Sequence, residues 1–518
     1  MTVQTDVQTF PLYINGQWQP ASNNETFDVI NPATGQLVAK VAKGTAEDVN
    51  KAVHAAREAF DNSDWRNMSP KERANILYQI SYAISEHADE LAYLEAISSG
   101  GTVRRIGGND ILQMVDLFQT LAKFVLEYEF SETLPSPPFP GPAHNFIWRE
   151  PIGVCAAITP WNLPMVIATW KIAPALAMGN TIVVKPASYT PLSTLKLAEI
   201  ISEVVPPGVI NVVTGSGAEA GEALIKHPNV DKVAFTGSTE VGRRVMELSA
   251  GTIKNTTLEL GGKSPNIILE DADLSIALPG SLFGVFLHSG QLCESGTRLF
   301  VPDQLHDVIV EQLVHLASKI KPGNPLDPNT DVGPVISKKQ KETILSYIEA
   351  GKQEGATLVC GGKEIKVPGC EDGHFIEPTI FTNVTNDMKI AREEIFGPVL
   401  SVIRYSEVDE AIKMANDSIY GLAAGVWTKD VNNAYDIARK LQAGVVWIND
   451  WHMLRNDAPF GGYKQSGIGR EMGKHSLDAY TQVKHVHTSM VPELHRRNWY
   501  GLLFSEVIGK LEKNLRMR

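Results

Sequence analysis

The chain has 518 residues, 43% of them hydrophobic and 20% charged, which suits roughly two to four globular domains and excludes a disordered or fibrous protein. Its formal net charge of −12 argues against nonspecific binding to nucleic acids or to anionic membrane surfaces. The first residues lack the pattern of a secretory signal, and the most apolar stretch, residues 276–287, is shorter than a membrane span, so we expect a cytoplasmic protein.

Capping residues mark two helices near the start of the chain. Thr45 precedes a segment with acidic residues in its first turn and apolar residues at helical spacing. Ser69-Pro70 begins a second such segment, with Glu72 in the capping-box position. Prolines are dense between residues 134 and 142, which excludes a continuous helix or a central strand and predicts a connector.

After the connector, short β-type runs alternate with helical segments, as is typical of βαβ units around a parallel sheet. The predicted strands cover residues 153–159, 181–184, 209–213, 233–235 and 257–260, and the predicted helices cover 165–178, 191–204, 218–226 and 238–250. A second series follows Pro265, with strands predicted at 267–269, 399–404, 425–427 and 445–448. The sequence therefore predicts two α/β domains.

The four cysteines, Cys155, Cys293, Cys360 and Cys370, include no Cys-x-x-Cys pair, which argues against a disulfide framework and against a metal site. Cys293 differs from the others in having small polar neighbours, a setting in which a nucleophilic thiol can be partly exposed. A lone cysteine is more often a small buried hydrophobe. Its role therefore depends on which other residues accompany it.

Two further segments carry residue types that acyl chemistry needs. Glu259 precedes a diglycine turn, where it can act as a general base or be a solvated carboxylate at a strand end. Asn162 lies between two prolines, where a rigid backbone can hold an amide donor for an oxyanion or can form a simple capped turn.

Taken together, these segments resemble the aldehyde dehydrogenase superfamily from about Tyr13 to about Val486. The motifs have the order and separations of that family, including 34 residues from Glu259 to Cys293. They are Pro160-Trp161-Asn162, Lys185-Pro186-Ala187-Ser188, Phe235-Thr236-Gly237-Ser238-Thr239-Glu240-Val241-Gly242, Leu258-Glu259-Leu260-Gly261-Gly262-Lys263, Gly290-Gln291-Leu292-Cys293, Glu393-Glu394-Ile395-Phe396-Gly397-Pro398 and Pro459-Phe460-Gly461-Gly462-Tyr463-Lys464.

The resemblance implies an enzyme that oxidises an aldehyde to the carboxylic acid with NAD(P)+. Cys293 would attack the aldehyde, the Asn162 amide and the Cys293 backbone N–H would hold the oxyanion, and hydride transfer would leave a thioester. Glu259 would activate the water that hydrolyses it; relatives that pass the acyl group to coenzyme A lack this residue. Lys171 and Glu471 would form a proton path to Glu259, or would be ordinary surface or interdomain charges.

The resemblance also implies a cofactor site, although its loop lacks the G-x-G-x-x-G fingerprint. The residues expected to contact NAD or NADP are Thr159, Trp161, Lys185, Ser188, Gly237, Ser238, Glu394 and Phe396. NAD-preferring members usually carry Glu at position 188, whose charge would repel a 2′-phosphate. Because Ser188 removes that repulsion, we expect NADP to be accepted, with NAD still a candidate.

The substrate is less closely defined by the resemblance. The residues expected to line its tunnel are Leu163, Val166, Trp170, Glu294, Asp450, Trp451 and His452. Their partly aromatic character favours an apolar aliphatic or an aromatic aldehyde. A semialdehyde is the alternative, for which Arg104, Arg105 and Arg455 are unplaced candidates.

Glu294 departs from the family, which commonly has a small or neutral residue directly after the nucleophile. Its carboxylate would raise the pKa of the thiol unless it is paired or points away. A role in substrate choice is one interpretation, and a side chain turned to solvent is the simpler expectation.

The expected fold is α/β, with three parts that the family shares and one that it does not. They are a Rossmann-like NAD(P)-binding domain (residues 1–132 and 152–261), an α/β catalytic domain (262–480), a small β oligomerisation extension (133–151 and 481–490) and a C-terminal tail (491–518). In the family such extensions join dimers into tetramers, so we expect a homo-oligomer, dimer or tetramer.

The tail has leucine or valine at every fourth position from Leu503 to Leu515, with basic residues between them. This pattern predicts an amphipathic helix that docks on a subunit or, as a second interpretation, lies on a membrane surface. We expect no other membrane association.

The sequence leaves two rival functions open. Cys293 could transfer the acyl group to another acceptor or hydrolyse an ester, or the chain could be a non-catalytic binding protein on the same fold. The intact set of Cys293, Glu259 and Asn162 argues against the binding protein.

Overall fold

A mostly parallel sheet carries the cofactor motifs. The computed structural model describes residues 7–136 and 141–504, and within them this sheet has eight strands. From one edge to the other they are Gly467–Ile468, Asn255–Glu259, Lys232–Thr236, Val154–Ile158, Thr181–Lys185, Ile210–Val212, Leu12–Ile14 and Gln17–Gln19. The five from Asn255–Glu259 to Ile210–Val212 run parallel, and the outer strands pair antiparallel.

Helices cover this sheet and begin where the sequence places their caps. Thr45 and Ser69 each accept hydrogen bonds from the first turn, and Asp48 and Glu72 complete the two capping boxes, which confirms both predicted starts. The helices are Ala46–Asn62, Pro70–Glu86, Ala88–Ser99, Ile111–Glu127, Pro164–Ala177, Leu192–Ser202, Glu222–Lys226 and Thr239–Ser249. Pro164–Ala177 is buried along its whole length, so polar side chains on it must find partners inside the protein.

A second sheet is formed by strands that lie between Pro265 and Ile448. Among the described residues it has seven strands, in the order Thr357–Cys360, Thr379–Thr382, Val399–Tyr405, Arg298–Pro302, Pro265–Ile268, Ala423–Trp427 and Val445–Ile448. All pairs are parallel except the one at the Thr357–Cys360 edge. Its helices include Leu274–Phe286, His306–Ala317, Lys338–Gln353, Val408–Asn416 and Val431–Lys440. The predicted α/β class is confirmed.

Strands on either side of the proline-rich connector form a separate small sheet. Its strands in the described part of the chain are Ser131–Leu134, Ala143–Pro151 and Thr481–Ser489. The last strand pairs antiparallel with the middle one from Thr481 opposite Pro151 to Ser489 opposite Ala143. Smaller sheets contain Thr9–Phe10, Thr26–Ile30 and Leu37–Ala42, and Glu364–Val367 with Cys370–Ile376.

The C-terminal tail is described only as far as residue 504. It contains short 3₁₀ turns at Leu494–Arg496 and Asn498–Leu502. The amphipathic helix predicted from Leu503 to Leu515 lies almost wholly outside the described residues. Within residues 7–136 and 141–504, no helix has the length and apolar character to span a membrane.

Candidate active site

Several of the predicted site residues lie together at the carboxyl ends of the parallel strands in the first sheet. Thr159, Lys185 and Glu259 end or follow three of these strands, and a loop from the second sheet brings Cys293 to the same edge. A cavity of about 230 Å³ lies there. Its lining includes Trp161, Asn162, Gly237, Ser238, Glu259, Cys293, Glu394 and Phe396. Ligands bind at this edge in α/β folds generally.

Cys293 lies in an irregular loop just after the left-handed residues His288 and Ser289. A Cβ at Gly262 would collide with the Cys293 carbonyl, so the diglycine turn lets the two backbones approach. Burial, and then the negative charge of Glu294, raise the pKa of the Cys293 thiol well above its usual 9.0. Cys293 therefore rests as a thiol.

Asn162 is held rigidly next to the nucleophile's loop. Its buried Nδ2 donates a hydrogen bond to the Gln291 carbonyl at 2.9 Å, directly before the start of the Pro164–Ala177 helix. An amide nitrogen has two N–H donors. The second is available for an oxyanion beside Cys293.

Glu259 reaches the cavity from the end of its strand. It is buried, and within the described residues neither carboxyl oxygen has a hydrogen-bond partner. Burial, and then the charge of Glu471, raise the pKa of Glu259 well above its usual 4.5, although Lys171 acts in the opposite direction. A raised pKa brings this carboxyl closer to the range that suits a general base.

Lys171 and Glu471 are brought together behind Glu259. Lys171 Nζ donates to Glu471 Oε1 and to Thr236 Oγ1, each at 2.8 Å, and the ion pair is fully enclosed. The interpretation of these residues as surface charges is therefore excluded.

Five of the cofactor candidates line this cavity, and Thr159, Lys185 and Ser188 do not. The Lys185 ammonium donates to the Pro186 carbonyl at 2.7 Å, and burial lowers its pKa to about 8. Glu394 accepts from the Gly262 N–H at 3.3 Å, and burial raises its pKa to about 7. Both groups have capacity for further hydrogen bonds, as ribose hydroxyls would require.

Aromatic and helix-terminal groups complete the set of cofactor candidates. The rings of Trp161 and Phe396 meet edge to face at 5.2 Å. Ser238 caps the Thr239–Ser249 helix, whose free N–H groups favour an anion such as a pyrophosphate. Ser188 Oγ donates to the Gly215 carbonyl at 2.9 Å. The Thr159 hydroxyl is buried and has no partner in the described part of the chain.

Comparison with known proteins identifies the family of the chain. Residues 18–486 match the model of the Aldehyde dehydrogenase family. The chain belongs to this family. It is 47% identical to a putative aldehyde dehydrogenase, DhaS, of Bacillus subtilis, over 94% of this chain and 98% of that protein, and 44% identical to a betaine aldehyde dehydrogenase of the same organism, over 95% and 99%.

Solved structures resemble this aldehyde dehydrogenase equally closely. The NAD+ complex of an aldehyde dehydrogenase from Bacillus cereus is 45% identical, with a TM-score of 0.90 over 93% of this chain and 97% of that one. The NAD+ complex of betaine aldehyde dehydrogenase from Staphylococcus aureus is 42% identical, with a TM-score of 0.91 over 93% and 96%.

The expectation that Glu294 is turned to solvent is wrong for this aldehyde dehydrogenase. The Glu294 side chain is buried. The Cys293 thiol lies 3.2 Å from Glu294 Oε2, and His452 Nδ1 lies 3.0 Å from Oε1. The carboxylate therefore links the nucleophile of this enzyme to a histidine 158 positions away.

A second cavity of about 490 Å³ adjoins Glu294 in this aldehyde dehydrogenase. Of the predicted tunnel residues, Leu163, Glu294 and His452 line it. Sequence reasoning missed several others, which are Asn109, Asp110, Gln113, Asp116, Leu292 and Leu454. Asn109 and Asp110 belong to a π-helical turn, Ile106–Asp110, and such turns are frequent at functional sites. The Gly107-Gly108 pair within a helical pattern is the signal that could have indicated it.

Four predicted tunnel residues lie outside the lining of both cavities. Trp170 is buried against Phe460, with ring centres 5.2 Å apart, and Val166 is buried in the same core. Trp451 is buried against Trp447 and fills the space left by glycines in the second domain. Asp450 is exposed. These four positions stay predictions that neither cavity supports.

The three arginines considered as anchors for a substrate carboxylate are each paired with an acid. Arg105 lines the cavity and lies 3.0 Å from Asp110, and Arg455 pairs with Asp457 at its rim. Arg104 pairs with Asp331. An anionic substrate would have to compete with these carboxylates.

Proposed function

We propose that this chain oxidises an aldehyde through covalent intermediates on Cys293. The observation that carries the proposal is the meeting of Cys293, Asn162, Glu259 and Glu394 around one cavity. Cys293 Sγ forms a bond to the aldehyde carbon, and the carbonyl oxygen takes up the electron pair. The second Asn162 N–H and the Cys293 backbone N–H stabilise this oxyanion, an interaction typically worth about 2.7–4 kcal/mol per donor.

Glu259 acts in the second half of the proposed reaction. Its carboxylate takes a proton from a water molecule, and the oxygen of that water attacks the thioester carbon, which releases the acid and restores Cys293. The unpartnered Glu259 oxygens support this role, because they can accept the proton without first breaking another hydrogen bond. The Lys171–Glu471 pair sets the charge behind Glu259 and can pass its proton on.

The residues present fit NAD+ or NADP+. Lys185 and Glu394 would hold ribose hydroxyls, and Phe396 would pack near the nicotinamide ribose. Trp161 and Gly237-Ser238 would meet the pyrophosphate near the helix N-terminus. When bound, the cofactor supplies the hydride acceptor. We propose that NADP+ is accepted as well, because Ser188 presents a hydroxyl where a carboxylate would repel a 2′-phosphate.

The substrate is proposed to be an aldehyde with an apolar aliphatic or aromatic body. Leu163, Leu292 and Leu454 support an apolar body, as an apolar part of a cavity lining that is otherwise mostly polar or charged. A semialdehyde is the alternative: Arg455 is paired with Asp457, whereas Arg105 lines the cavity and its guanidinium nitrogens have no hydrogen-bond partner among the described residues, although Asp110 lies 3.0 Å away.

Oligomerisation is proposed through the small sheet of strands 131–134, 143–151 and 481–489. The nine-residue strand Thr481–Ser489 lies at its edge and is largely exposed. A long free edge is suited to pairing with another chain. We therefore propose a homodimer or homotetramer in the cytoplasm, with residues 1–132 and 152–261 binding the cofactor and 262–480 supplying the nucleophile.

A panel of aldehydes tests the proposal directly. Short aliphatic, long aliphatic, aromatic and semialdehyde substrates are each mixed with NAD+ or NADP+, and reduced cofactor is followed for the wild type and Cys293→Ala. We expect reduction by the wild type with at least one class and none by the variant. No reduction with any aldehyde would contradict the proposal, and activity that survives in Cys293→Ala would remove the covalent mechanism.

A further inference from the structure

The contact between Cys293 and Glu294 raises the question of where the thiol proton goes. The Cys293 sulfur lies 3.2 Å from Glu294 Oε2, and Glu294 is buried while Cys293 is partly buried. Two anions at this distance in a buried site would repel each other strongly. One proton must therefore lie between them.

The ionisation of the surrounding carboxyl groups places that proton on sulfur. Burial raises the pKa of Glu259 and Glu394, the other two acids near the thiol. Burial also acts on Glu294, but the hydrogen bond and charge of His452 outweigh it and lower the pKa of Glu294. Glu294 is thus the ionised acceptor that touches Cys293, and the S–H group donates to it.

His452 fixes the direction of this carboxylate. An ionised carboxylate only accepts hydrogen bonds, so the proton on His452 Nδ1 donates to Glu294 Oε1 at 3.0 Å. The His452 backbone has a left-handed φ of 60°, which turns its ring toward Glu294 from the loop after the strand Val445–Ile448. Oε2 is therefore left to face the sulfur.

We propose that Glu294 is a catalytic residue for the first half of the reaction and that His452 is its positioning residue. As the S–C bond to the aldehyde forms, the S–H bond breaks and its proton moves to Glu294 Oε2, while the carbonyl electron pair moves to oxygen. Sulfur loses electron density during the attack, so its proton becomes acidic enough for a carboxylate to accept. Glu259 keeps the separate task of activating water.

This inference rests on the proposed function, and a single-turnover experiment tests it apart from that function. Enzyme in excess over NAD+ or NADP+ is mixed with saturating aldehyde, and formation of reduced cofactor is timed for the wild type, Glu294→Gln and the control Glu86→Gln. We expect Glu294→Gln to slow this step by roughly a hundred- to ten-thousand-fold. The same amide change at the exposed Glu86, which lines neither cavity, should leave the single turnover unchanged.

The opposite result would overturn the inference. If Glu294 only disfavours the Cys293 thiolate through its charge, the carboxylate slows the wild-type enzyme. Glu294→Gln should then form reduced cofactor at a rate equal to or greater than that of the wild type. A slowing of less than about tenfold counts against the role as well. Absence of reduction in the wild type would instead refute the proposed function, so the two failures are distinguishable.

Further variants separate chemistry from folding. Glu294→Asp keeps a carboxylate and should react at least about tenfold faster than Glu294→Gln. His452→Asn keeps a donor and tolerates a positive φ, whereas His452→Ala keeps neither advantage. We expect slow acylation in His452→Ala and recovery in His452→Asn, with thermal unfolding recorded for each. Equal rates in the two histidine variants would remove the positioning role.

Discussion

Lys171 and Glu471 form a fully buried ion pair at 2.8 Å, although 300 positions separate them in the chain. Lys171 belongs to the buried helix Pro164–Ala177, and Glu471 belongs to the segment that follows the edge strand Gly467–Ile468. The pair therefore joins the buried helix to the segment after the edge strand, behind Glu259. Glu471 raises the pKa of Glu259 and Lys171 lowers it, so the pair limits the net effect of either charge.

Breaking this ion pair should destabilise the fold strongly. In Lys171→Met, Glu471 stays buried without its cation, and we expect the free energy of unfolding to fall by about 3–5 kcal/mol. Denaturant unfolding measures the change. The double variant Lys171→Met with Glu471→Met should recover much of the loss, because an apolar pair can replace a buried ion pair.

The exposed pair of Lys474 and Glu127 provides the control. Its atoms lie 3.1 Å apart on the surface. Lys474→Met should lower the free energy of unfolding by less than about 1 kcal/mol. Equal losses of unfolding free energy in Lys171→Met and Lys474→Met would show that burial of the Lys171–Glu471 pair does not increase its effect on stability.

Local sequence signals predicted much of the fold. The caps at Thr45 and Ser69 act within one helical turn, and the strand Val154–Ile158 forms from a short β-type run, so neighbouring residues are sufficient to indicate them. The outer strands of the first sheet were not predictable in this way. Leu12–Ile14 and Gly467–Ile468 join it only through pairing with distant segments.

The same limit applies to the site. Motifs indicated Cys293 and Glu259, but the contact of Glu294 with His452 could not be predicted, because the chain brings His452 from another loop. Trp451 was expected in the tunnel because of its aromatic type and its position. Its actual place depends on glycines at distant positions, whose missing side chains leave room for the indole ring.

Trp451→Ala should be a stability variant rather than a substrate variant. The side chain is fully buried against Trp447, so its loss would leave a cavity and lower the free energy of unfolding by about 3–5 kcal/mol. Denaturant unfolding tests this expectation. Tyr82→Ala, which removes an exposed ring, should change it by less than about 0.5 kcal/mol. A Trp451→Ala enzyme of unchanged stability with an altered aldehyde preference would return Trp451 to the tunnel.

Ser188→Glu should reduce the use of NADP+. The added carboxylate would face a 2′-phosphate, and like-charge repulsion should lower kcat/KM for NADP+ at least about tenfold, with little loss for NAD+. Ser188→Ala is the matched control, because it removes the hydroxyl without adding a charge, and NADP+ use should persist. Initial rates with both cofactors decide the matter. A preference for NAD+ of about a hundredfold or more in the wild type would contradict the premise.

Turnover limited by thioester hydrolysis should rise with pH because of Glu259. A protonated Glu259 cannot accept a proton from water, so the rate increases as pH rises through the pKa of this carboxyl, which burial and Glu471 place well above 4.5. Glu259→Gln should lose the rise and turn over roughly a hundred- to ten-thousand-fold more slowly. Glu471→Gln removes one charge that raises this pKa and leaves Lys171, which lowers it, so the rise should move to lower pH. Steady-state rates are measured from acid to alkaline pH for the wild type, Glu259→Gln and Glu471→Gln. A pH–rate profile of Glu471→Gln that matches the wild type would show that another group controls the rise.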